Sequence, residues 1–573
     1  MEYKGKLYSV LSGQKVMSKR ESTSEKSTSE KSTVEKSTGE NSTYSTKEIE
    51  DHSDSTIDPE EIKSNPFLDP GVEEYYRKLY NDAKYECRFA FDPEFKWDEE
   101  EEKKVIWKLN WRVSLTSCIM FMALQIDRGN LAQAVTDNML DELGLTTNDY
   151  NTGNTIFYVS FLLAEIPSQL ISKALGPDIF IPIQICAWSL VAMFQFFLKD
   201  KAGFFVTRCL IGAIEGGFIA DLVVWLSYFF TAKELSVRLS WFWTTLALTQ
   251  IGTALLAFGI LRMRGILGYS GWQWLFLLEG IFTLLIGLSS FYLMVPSAVQ
   301  TRNWMHPKGW FTEREEKIVV NRVLRDDPSK GSMHNRQAVN FKMLWKSLMD
   351  YNLWPIYVVG LITYIGYFTF TPYFGLINRE LGFSVFNTNL LTIPQAVLHI
   401  ILILWITWFS ERINERGFTC CLQPLYAIIL MGVIRFWSGS GVEVWPSWTI
   451  NSLYLGQPYI HAIAVSWVSR NSNSVRTRSI SSALYNMFVQ LGAIVGQNIY
   501  REDDRPLYRR GNMQLFCIAI GALFWLLFVK MFYVWKNKKR DEIWNKMTEE
   551  ERNDYRMNTK DEGNKRLDFR FHH

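Results

Sequence analysis

Four ionisable residues lie within long apolar stretches of this chain, and their types are suited to proton and anion chemistry. Asp127 and Arg128 occur in the segment ALQIDRGNLAQA, and Arg208 and Glu215 occur in RCLIGAIEGGF. Burial raises the proton affinity of a carboxyl group and a nearby arginine lowers it. Glu215 is therefore a candidate proton-binding group, and Asp127 is a second candidate. Arg128 is a candidate anion anchor, because a guanidinium can hold a carboxylate or sulfonate through two parallel hydrogen bonds.

The spacing of these residues indicates which of them can act together. Neighbours on an α-helix are rotated by about 100°, so Asp127 and Arg128 must face different partners. Arg208 and Glu215 are seven residues apart, and with Gly212 they share one helix face. The alternative interpretation is that each charge belongs to a permanent ion pair that only joins two helices.

Other polar residues in apolar stretches are weaker candidates. We expect Asn130, Arg208, His399 and His461 to contribute to substrate binding, although a lone histidine or asparagine in a helix bundle more often forms a hydrogen bond between helices. The same alternative applies to several further residues, namely Glu165, Asp221, Glu279, Asn389 and Gln457.

Twelve apolar stretches, each near the length of about 20 residues that spans a bilayer, carry these candidates. We predict spans over 112–134, 152–172, 179–198, 203–228, 237–261 and 272–295, and then over 353–376, 386–409, 417–438, 446–468, 478–499 and 512–535. Six helices, a polar interval and six further helices are typical of a transporter that binds its substrate between two halves. The predicted fold is therefore an all-α membrane protein with two six-helix bundles, at 111–296 and 353–536.

The polar segments define the predicted topology. Residues 1–110 are predicted to be a disordered tail, because 20–46 repeat Ser, Thr, Glu and Lys without an apolar face. Residues 297–352 form a central loop and 537–573 a second tail. The longer basic segments, including KNKKR at 536–540, all fall on one side, which we expect to be the cytosol, whereas the short loops do not decide the orientation. Both termini are then cytosolic.

Composition limits the possible partners. Apolar residues make up 48% of the chain, and the formal net charge is only +2, so nucleic acid is not an expected partner. The seven cysteines lack the spacing of a metal or disulfide framework, and no nucleotide-binding loop is present in the sequence. His399 and His461 are not followed by a carboxylate at short helical spacing, so we predict neither an enzyme nor a cofactor. The expected partners are the lipid bilayer, protons and a small anion, bound by a monomer.

Five segments together resemble the allantoate permease family, the fungal anion:cation symporter branch of the major facilitator superfamily. They are DRGNLAQA at 127–134, FYVSFLLAEIPSQLI at 157–171, RCLIGAIEGGF at 208–218, GWQWLFLLEG at 271–280 and LLTIP at 390–394. The resemblance implies a major facilitator fold with alternating access, proton symport of an anionic nutrient, and a place in a fungal plasma membrane.

Further segments, several of them in polar regions, are similar to the sulfonate and inorganic sulfur anion permeases of that family. They are NPFLDP at 65–70, FDPEFKW at 91–97, TNDYNTG at 147–153, FTEREEKIVVNRVLRDDPSKG at 311–331, NSVRTRS at 473–479 and KRLDFRF at 565–571. This similarity implies sulfonate, sulfite or thiosulfate as the substrate. The wider family also carries allantoate, vitamins, cysteine and small peptides, which remain alternatives, as does a nutrient sensor that does not transport.

The chain departs from the family pattern in two places. The wider family commonly has Pro-Gly after Glu-Ala-Gly-Phe in the fourth helix, whereas this chain has Gly216 and Gly217 directly after Glu215. The superfamily's loop signature after the second helix is reduced to SKALGPD at 172–178. A partial version remains in SERINERG of the second half, where we expect Glu411, Arg412 and Arg416 to pair with helix ends and hold the cytosolic gate shut.

Overall fold

The computed structural model of the protein describes residues 65–573 except 69, 83, 303–306, 333–344, 346–347, 473–474, 560 and 562. The Ser/Thr/Glu/Lys repeat at 20–46 therefore lies outside the described residues. The described part of the chain consists of helices, turns and loops, and it contains no strand. The predicted all-α fold is confirmed.

The first half follows two preceding helices, α1 (Pro70–Asp82) and α2 (Glu99–Leu109). A π-helical turn at Asn110–Ser114 joins α2 to α3 (Leu115–Thr136). The remaining helices of this half are α4 (Met139–Glu142), α5 (Thr147–Leu175), α6 (Pro177–Phe194), α7 (Lys201–Glu215), α8 (Phe218–Ser227), α9 (Ala232–Ile260) and α10 (Gly271–Leu293). The central segment contributes α11 (Glu313–Asp326) and α12 (Ser329–Ser332).

The second half contains more interrupted helices than the first. They are α13 (Trp354–Thr363), α14 (Ile365–Phe370), α15 (Phe374–Glu380), α16 (Val385–Leu390), α17 (Ile393–Arg412), α18 (Gly417–Phe436), α19 (Val444–Leu455), α20 (His461–Ser472), α21 (Val475–Gly496), α22 (Arg509–Trp544) and α23 (Glu549–Asn558). Short 3₁₀ turns lie at Pro66–Leu68, Arg88–Ala90, Gln195–Phe197, Leu261–Met263, Ile266–Gly268, Thr371–Tyr373, Glu502–Asp504 and Gly563–Lys565.

Nine helical stretches of the described residues are long and apolar enough to cross a membrane. They correspond to the predicted second to ninth spans and to the twelfth. The predicted first and eleventh spans are helical as α3 and α21, and the tenth is divided into α19 and α20 between Leu455 and His461. The count of twelve spans remains a prediction.

The described residues between 65 and 109 are folded, which corrects the prediction of disorder for the whole of 1–110. The ring centre of Phe91 lies 4.9 Å from that of Phe67 and 5.1 Å from that of Tyr80, and all three side chains are buried. The Tyr80 hydroxyl donates to the carbonyl of Pro328 at 2.8 Å. These few aromatic residues are scattered among charged ones, and they contact one another and the central segment, so local composition does not predict the fold of this region.

The two ends of the helix bundle carry different segments of the chain. Helices α1, α2 and α11 pack at one end of the first half, where Arg322 of α11 forms an ion pair with Glu234 of α9 at 2.6 Å. Residues 563–573 pack at the same end of the second half. We call this end the terminal face, and we call the opposite end, with residues 137–146, 381–384 and 500–508, the far face.

The two halves are joined by hydrogen bonds at the far face. Asn151 of α5 donates to the carbonyl of Tyr500 at 2.5 Å and accepts a hydrogen bond from Tyr373. The backbone N–H of Thr147 donates to Glu502 at 2.8 Å. These contacts hold α5 against the end of α21 and the following loop, so the far face is closed in this structure.

Candidate substrate and proton site

An ion pair between α3 and α7 lies at the centre of the first half. The Nε atom of Arg128 donates to Oε2 of Glu215 at 2.7 Å. The Glu215 side chain is fully buried, whereas that of Arg128 remains 21% exposed. Arg128 is therefore the more accessible member of the pair, while its partner carboxylate is withdrawn from solvent.

Two phenylalanine rings of α5 support the two arginines of the site. The Arg128 guanidinium carbon lies 4.9 Å from the ring centre of Phe161, and that of Arg208 lies 4.6 Å from the ring centre of Phe157. The two rings are four residues apart and so share a helix face. Such contacts stabilise a desolvated guanidinium without neutralising its charge.

The face shared by Arg208, Gly212 and Glu215 is the face that packs against α5. A Cβ atom on Gly212 would lie only 2.3 Å from the carbonyl oxygen of Phe157, so glycine permits the close approach of the two helices. Arg208 is also buried, and it lies within electrostatic range of Glu215. One carboxylate therefore has two guanidinium neighbours.

Several polar atoms of this site are buried without a hydrogen-bond partner among the described residues. They are Nη2 of Arg128, Nε and Nη1 of Arg208, Oε1 of Glu215, and both side-chain amide atoms of Asn130. Unpaired donors in a buried site are costly, so the guanidinium nitrogens of Arg128 and Arg208 and the amide nitrogen of Asn130 are donors able to bind a further acceptor. The site thus contains several guanidinium donors that its carboxylate does not bind in this structure.

Asp127 faces away from Arg128, toward α6 and α10. Its Oδ2 atom accepts a hydrogen bond from the indole N–H of Trp188 at 3.0 Å. Glu279 of α10 is buried and lies within electrostatic range of Asp127. Among the described residues, neither oxygen of Glu279 has a hydrogen-bond partner, and the same is true of Oδ1 of Asp127. A second group of carboxyls therefore lies behind the ion pair.

The helix that carries Glu215 ends at that residue. Gly217 has a φ of +81°, a left-handed conformation that favours glycine, and a Cβ atom there would lie 2.8 Å from Oγ of Ser168. The side-chain amide of Gln184 donates to the carbonyls of Ile214 and Gly216 at 2.9 and 3.1 Å, which satisfies oxygens freed by the break. The chain therefore has a break here without the proline of the wider family.

The second half presents aromatic and histidine side chains toward this site. The His461 ring lies 5.6 Å from the ring of Trp243 in the first half, and its Nδ1 atom has no hydrogen-bond partner among the described residues. His399 is engaged within its own half, because its Nδ1 atom lies 3.1 Å from the carbonyl oxygen of Gln457 and its ring stacks on Tyr367. The structure thus places His461 at the boundary between the halves.

Tyr158 of α5 connects the charged and the aromatic parts of the site. It lies within electrostatic range of Arg128 and Glu215 on one side, and of Tyr367 and Tyr459 on the other. Sequence reasoning did not single out Tyr158, Phe157 or Trp188. The spacing of Phe157 and Phe161 offered a weak signal, whereas Trp188 lies in an ordinary apolar stretch and offered none.

The predicted gating residues make their contacts within the second half in this structure. Glu411 and Arg412 are exposed at the end of α17, and Arg416 is buried and donates to the side chain of Asn414 at 3.3 Å. The ion pair of this loop is instead formed by Glu415, which accepts from Nζ of Lys530 at 2.7 Å. The latch between halves stays a prediction.

Comparisons with known proteins point to one family. A sequence model described as Major Facilitator Superfamily matches residues 117–497. A protein of Saccharomyces cerevisiae that is named an uncharacterized transporter is 42% identical over 521 residues, which cover 90% of this chain and 96% of that protein. A major facilitator-type transporter of Emericella nidulans is 26% identical, with 72% of this chain and 81% of that protein covered.

Solved structures show the same fold at low identity. A bacterial homolog of the human lysosomal transporter Spinster, in an inward-facing and unoccupied conformation, has a TM-score of 0.52 and 15% identity, with 76% of this chain and 97% of that chain covered. The nucleoside transporter NupG has a TM-score of 0.51 and 9% identity, with 73% of this chain and 99% of that chain covered. At these identities the likeness concerns the fold alone.

Proposed function

The chain belongs to the major facilitator superfamily and is a membrane transporter rather than an enzyme, and from that premise we propose that it imports a small anion together with protons. The observation that carries the proposal is the pair of Arg128 and Glu215, with Arg208 as a second buried guanidinium. An isolated charge inside a membrane is costly, so an excess of guanidinium over carboxylate favours an anionic solute as its neutralising partner.

A sulfur-containing anion, sulfonate, sulfite or thiosulfate, is the substrate class we favour. The sequence resemblance supports it, and the unpaired donor atoms of Arg128 and Arg208 suit a group with several oxygens. The alternatives are other anionic nutrients such as allantoate, a vitamin, cysteine or a small peptide, since a carboxylate group would meet the same donors.

Competition for Arg128 provides the coupling between proton and anion. While Glu215 is ionised it occupies the guanidinium through the 2.7 Å hydrogen bond. Protonation removes the negative charge of Glu215, which leaves Arg128 free to bind the substrate anion. When the proton leaves, Glu215 binds Arg128 again and the anion is displaced. Neither Arg128 nor Glu215 then remains as a lone charge in the membrane.

The carboxyl groups behind this pair store a further proton. Asp127 and Glu279 are buried close to each other, and like charges at short range disfavour ionisation of both. We assign the coupling role to Glu215 and Asp127, because Asp127 also lies within electrostatic range of Glu215. Glu279 is then the neighbour that shares this proton with Asp127.

We place the terminal face in the cytosol of a plasma membrane, following the basic segments at that face. The far face is then extracellular, and it is closed by the contacts of Thr147 and Asn151 with the second half. Alternating access requires these bonds to break when the cytosolic side closes. Glu215 takes its proton from outside in the alternate state and releases it, with the anion, to the cytosol.

The test is Glu215→Gln in proteoliposomes, assayed with radiolabelled sulfite, thiosulfate and an alkanesulfonate. We expect loss of accumulation driven by a pH gradient, with counterflow of labelled anion retained, because the amide cannot exchange the coupling proton. Glu165→Gln is the matched control, since Glu165 is a buried carboxyl of α5 outside the ion pair, and it should accumulate anion normally.

Two outcomes would contradict the proposal. Accumulation driven by a pH gradient in Glu215→Gln would remove Glu215 from the coupling mechanism. Binding of anion without any counterflow in the unaltered protein would identify a sensor instead of a transporter.

A further inference from the structure

Residues 563–573 lie in a groove on the terminal face of the second half, formed by the ends of α20 and α22. Asn471 of α20 accepts from the backbone N–H of His572 at 2.8 Å and donates to its carbonyl at 3.1 Å. Asn537 of α22 accepts from the N–H of Phe571 at 2.8 Å and donates to its carbonyl at 2.8 Å. Each of the two helices thus binds the backbone of one residue through an asparagine side chain, whose oxygen accepts from the N–H and whose nitrogen donates to the carbonyl.

The groove also holds side chains of the segment. Phe571 is 2% exposed, its ring centre lies 5.1 Å from that of Tyr533, and the guanidinium of Arg540 covers it at 4.6 Å. The indole N–H of Trp467 donates to the carbonyl of His572 at 2.7 Å. Backbone pairing combined with one aromatic pocket is a usual basis of peptide recognition, because the backbone bonds give affinity and the pocket gives specificity.

The start of the segment is anchored to a third element. Asn564 is buried, and its amide donates to Oδ2 of Asp350 at 2.6 Å and to the carbonyl of Asn471 at 3.1 Å. The carbonyl of Asn564 accepts from Arg540 at 2.7 Å. Asp350 precedes α13, so the segment joins the beginning of α13 to the ends of α20 and α22.

We propose that this groove is a peptide-binding site whose occupant is residues 563–573, and that occupancy fastens the cytosolic end of α20. The amides of Asn471 and Asn537 are placed to pair with a peptide backbone, and two helices and the segment before α13 contribute to the binding. Helix α20 begins at His461, which lies against Trp243 at the boundary between the halves. Fastening its other end restrains a helix that must move in alternating access, a consequence that rests on the proposed transport function.

The binding step is tested without any transport substrate. The chain truncated after residue 562 is purified and titrated with a fluorescent peptide of residues 563–573, followed by anisotropy. We expect saturable binding that weakens at least about tenfold when the peptide carries Phe571→Ala, or when the protein carries Asn471→Leu or Asn537→Leu. Lys538→Ala, an exposed neighbour on α22, is the matched control and should bind normally. Equal affinity of the altered and unaltered peptides, or no binding to a folded truncated chain, would overturn the proposal.

A second measurement uses the full-length chain and does not depend on the truncated one. Limited trypsin digestion at Arg566 and Arg570 should be several-fold faster in Asn537→Leu than in Lys538→Ala, because loss of the amide pairing releases the segment. Equal cleavage rates would show that the groove does not hold residues 563–573.

The fastening role is tested by transport in the same two proteins. Anion counterflow should be at least about twofold faster for Asn537→Leu than for Lys538→Ala, since a released α20 moves more readily. An unchanged rate would overturn the fastening role even if peptide binding is observed.

Discussion

In the first half, the residues nearest the centre of the bundle are charged, whereas in the second half they are aromatic or histidine. Arg128 and Glu215 form a buried ion pair in the first half. In the second half, Tyr364 and Tyr485 are fully buried and their hydroxyl groups lie 2.9 Å apart. Both arrangements pair polar groups away from water, but only the first contains the charged groups that the proposed mechanism requires.

This difference indicates how the proposed work is divided between the halves. Charges in a membrane are tolerated only near compensating groups, so concentrating them in one half keeps their partners within reach in every conformation. The aromatic half then forms a neutral wall that changes position against the charged half. Specificity for anions and coupling to protons should therefore depend on the first half, and the second half should affect mainly shape and stability.

The largest effect that separates the two halves is expected from Arg128→Lys. An ammonium group keeps the charge but cannot hold an anion through two parallel bonds. We expect substrate affinity, measured by counterflow at varied anion concentration, to fall by about 10- to 100-fold, or about 1.4 to 2.8 kcal/mol.

The control for this variant is Arg262→Lys. The guanidinium of Arg262 also stacks on a phenylalanine, at 4.2 Å from the ring centre of Phe258, but it lies toward the far face rather than at the centre. It should change affinity less than about threefold, as expected for a surface position. An unchanged affinity in Arg128→Lys, together with a loss in Arg208→Lys, would move the anion anchor to Arg208.

The charged half could largely be predicted from the sequence, because ionisable residues are conspicuous in apolar stretches. Helical rotation predicted that Asp127 and Arg128 face different partners, and in the structure they contact Trp188 and Glu215 respectively. The same reasoning placed Arg208 and Glu215 on one face. It could not identify the partners, since Trp188 is 61 residues from Asp127 and lies in a stretch with no distinguishing feature.

The aromatic half and the folded tail could not be predicted in this way. A tyrosine in an apolar helix has the same local pattern whether it packs or lines a cavity, and Tyr364 and Tyr485 are 121 residues apart. Hydropathy predicted most of the spans, because it measures a property of each stretch alone. The fold of residues 65–109 depends on contacts such as that of Tyr80 with Pro328, which are 248 residues apart.

An intermediate effect is expected within the charged half, from the comparison of Asp127→Asn with Glu279→Gln. If Asp127 takes part in coupling while Glu279 only shares its proton, the asparagine variant should lower accumulation by about tenfold at a gradient of about one pH unit, because one coupled proton supplies about 1.4 kcal/mol at that gradient. Glu279→Gln should lower it less than about threefold, because both carboxyls that we assign to coupling, Glu215 and Asp127, remain in place. The measurement is steady-state accumulation of labelled anion at fixed pH gradients. A larger loss in Glu279→Gln than in Asp127→Asn would reverse the two assignments.

The smallest effect is expected in the aromatic half, from Tyr485→Phe. The substitution removes one hydroxyl and leaves that of Tyr364 buried without its partner, which costs about 1 to 3 kcal/mol of folding free energy. Tyr364→Phe in the same protein removes the stranded hydroxyl, so the double variant should be more stable than the sum of the single variants predicts. Thermal unfolding in detergent measures the stability of the variants. Counterflow measures their anion affinity, and this affinity should change less than about threefold in all three variants. Tyr485→Phe would contradict this division of roles if it lowered anion affinity tenfold without lowering the stability of the protein. The aromatic half would then bind the substrate directly.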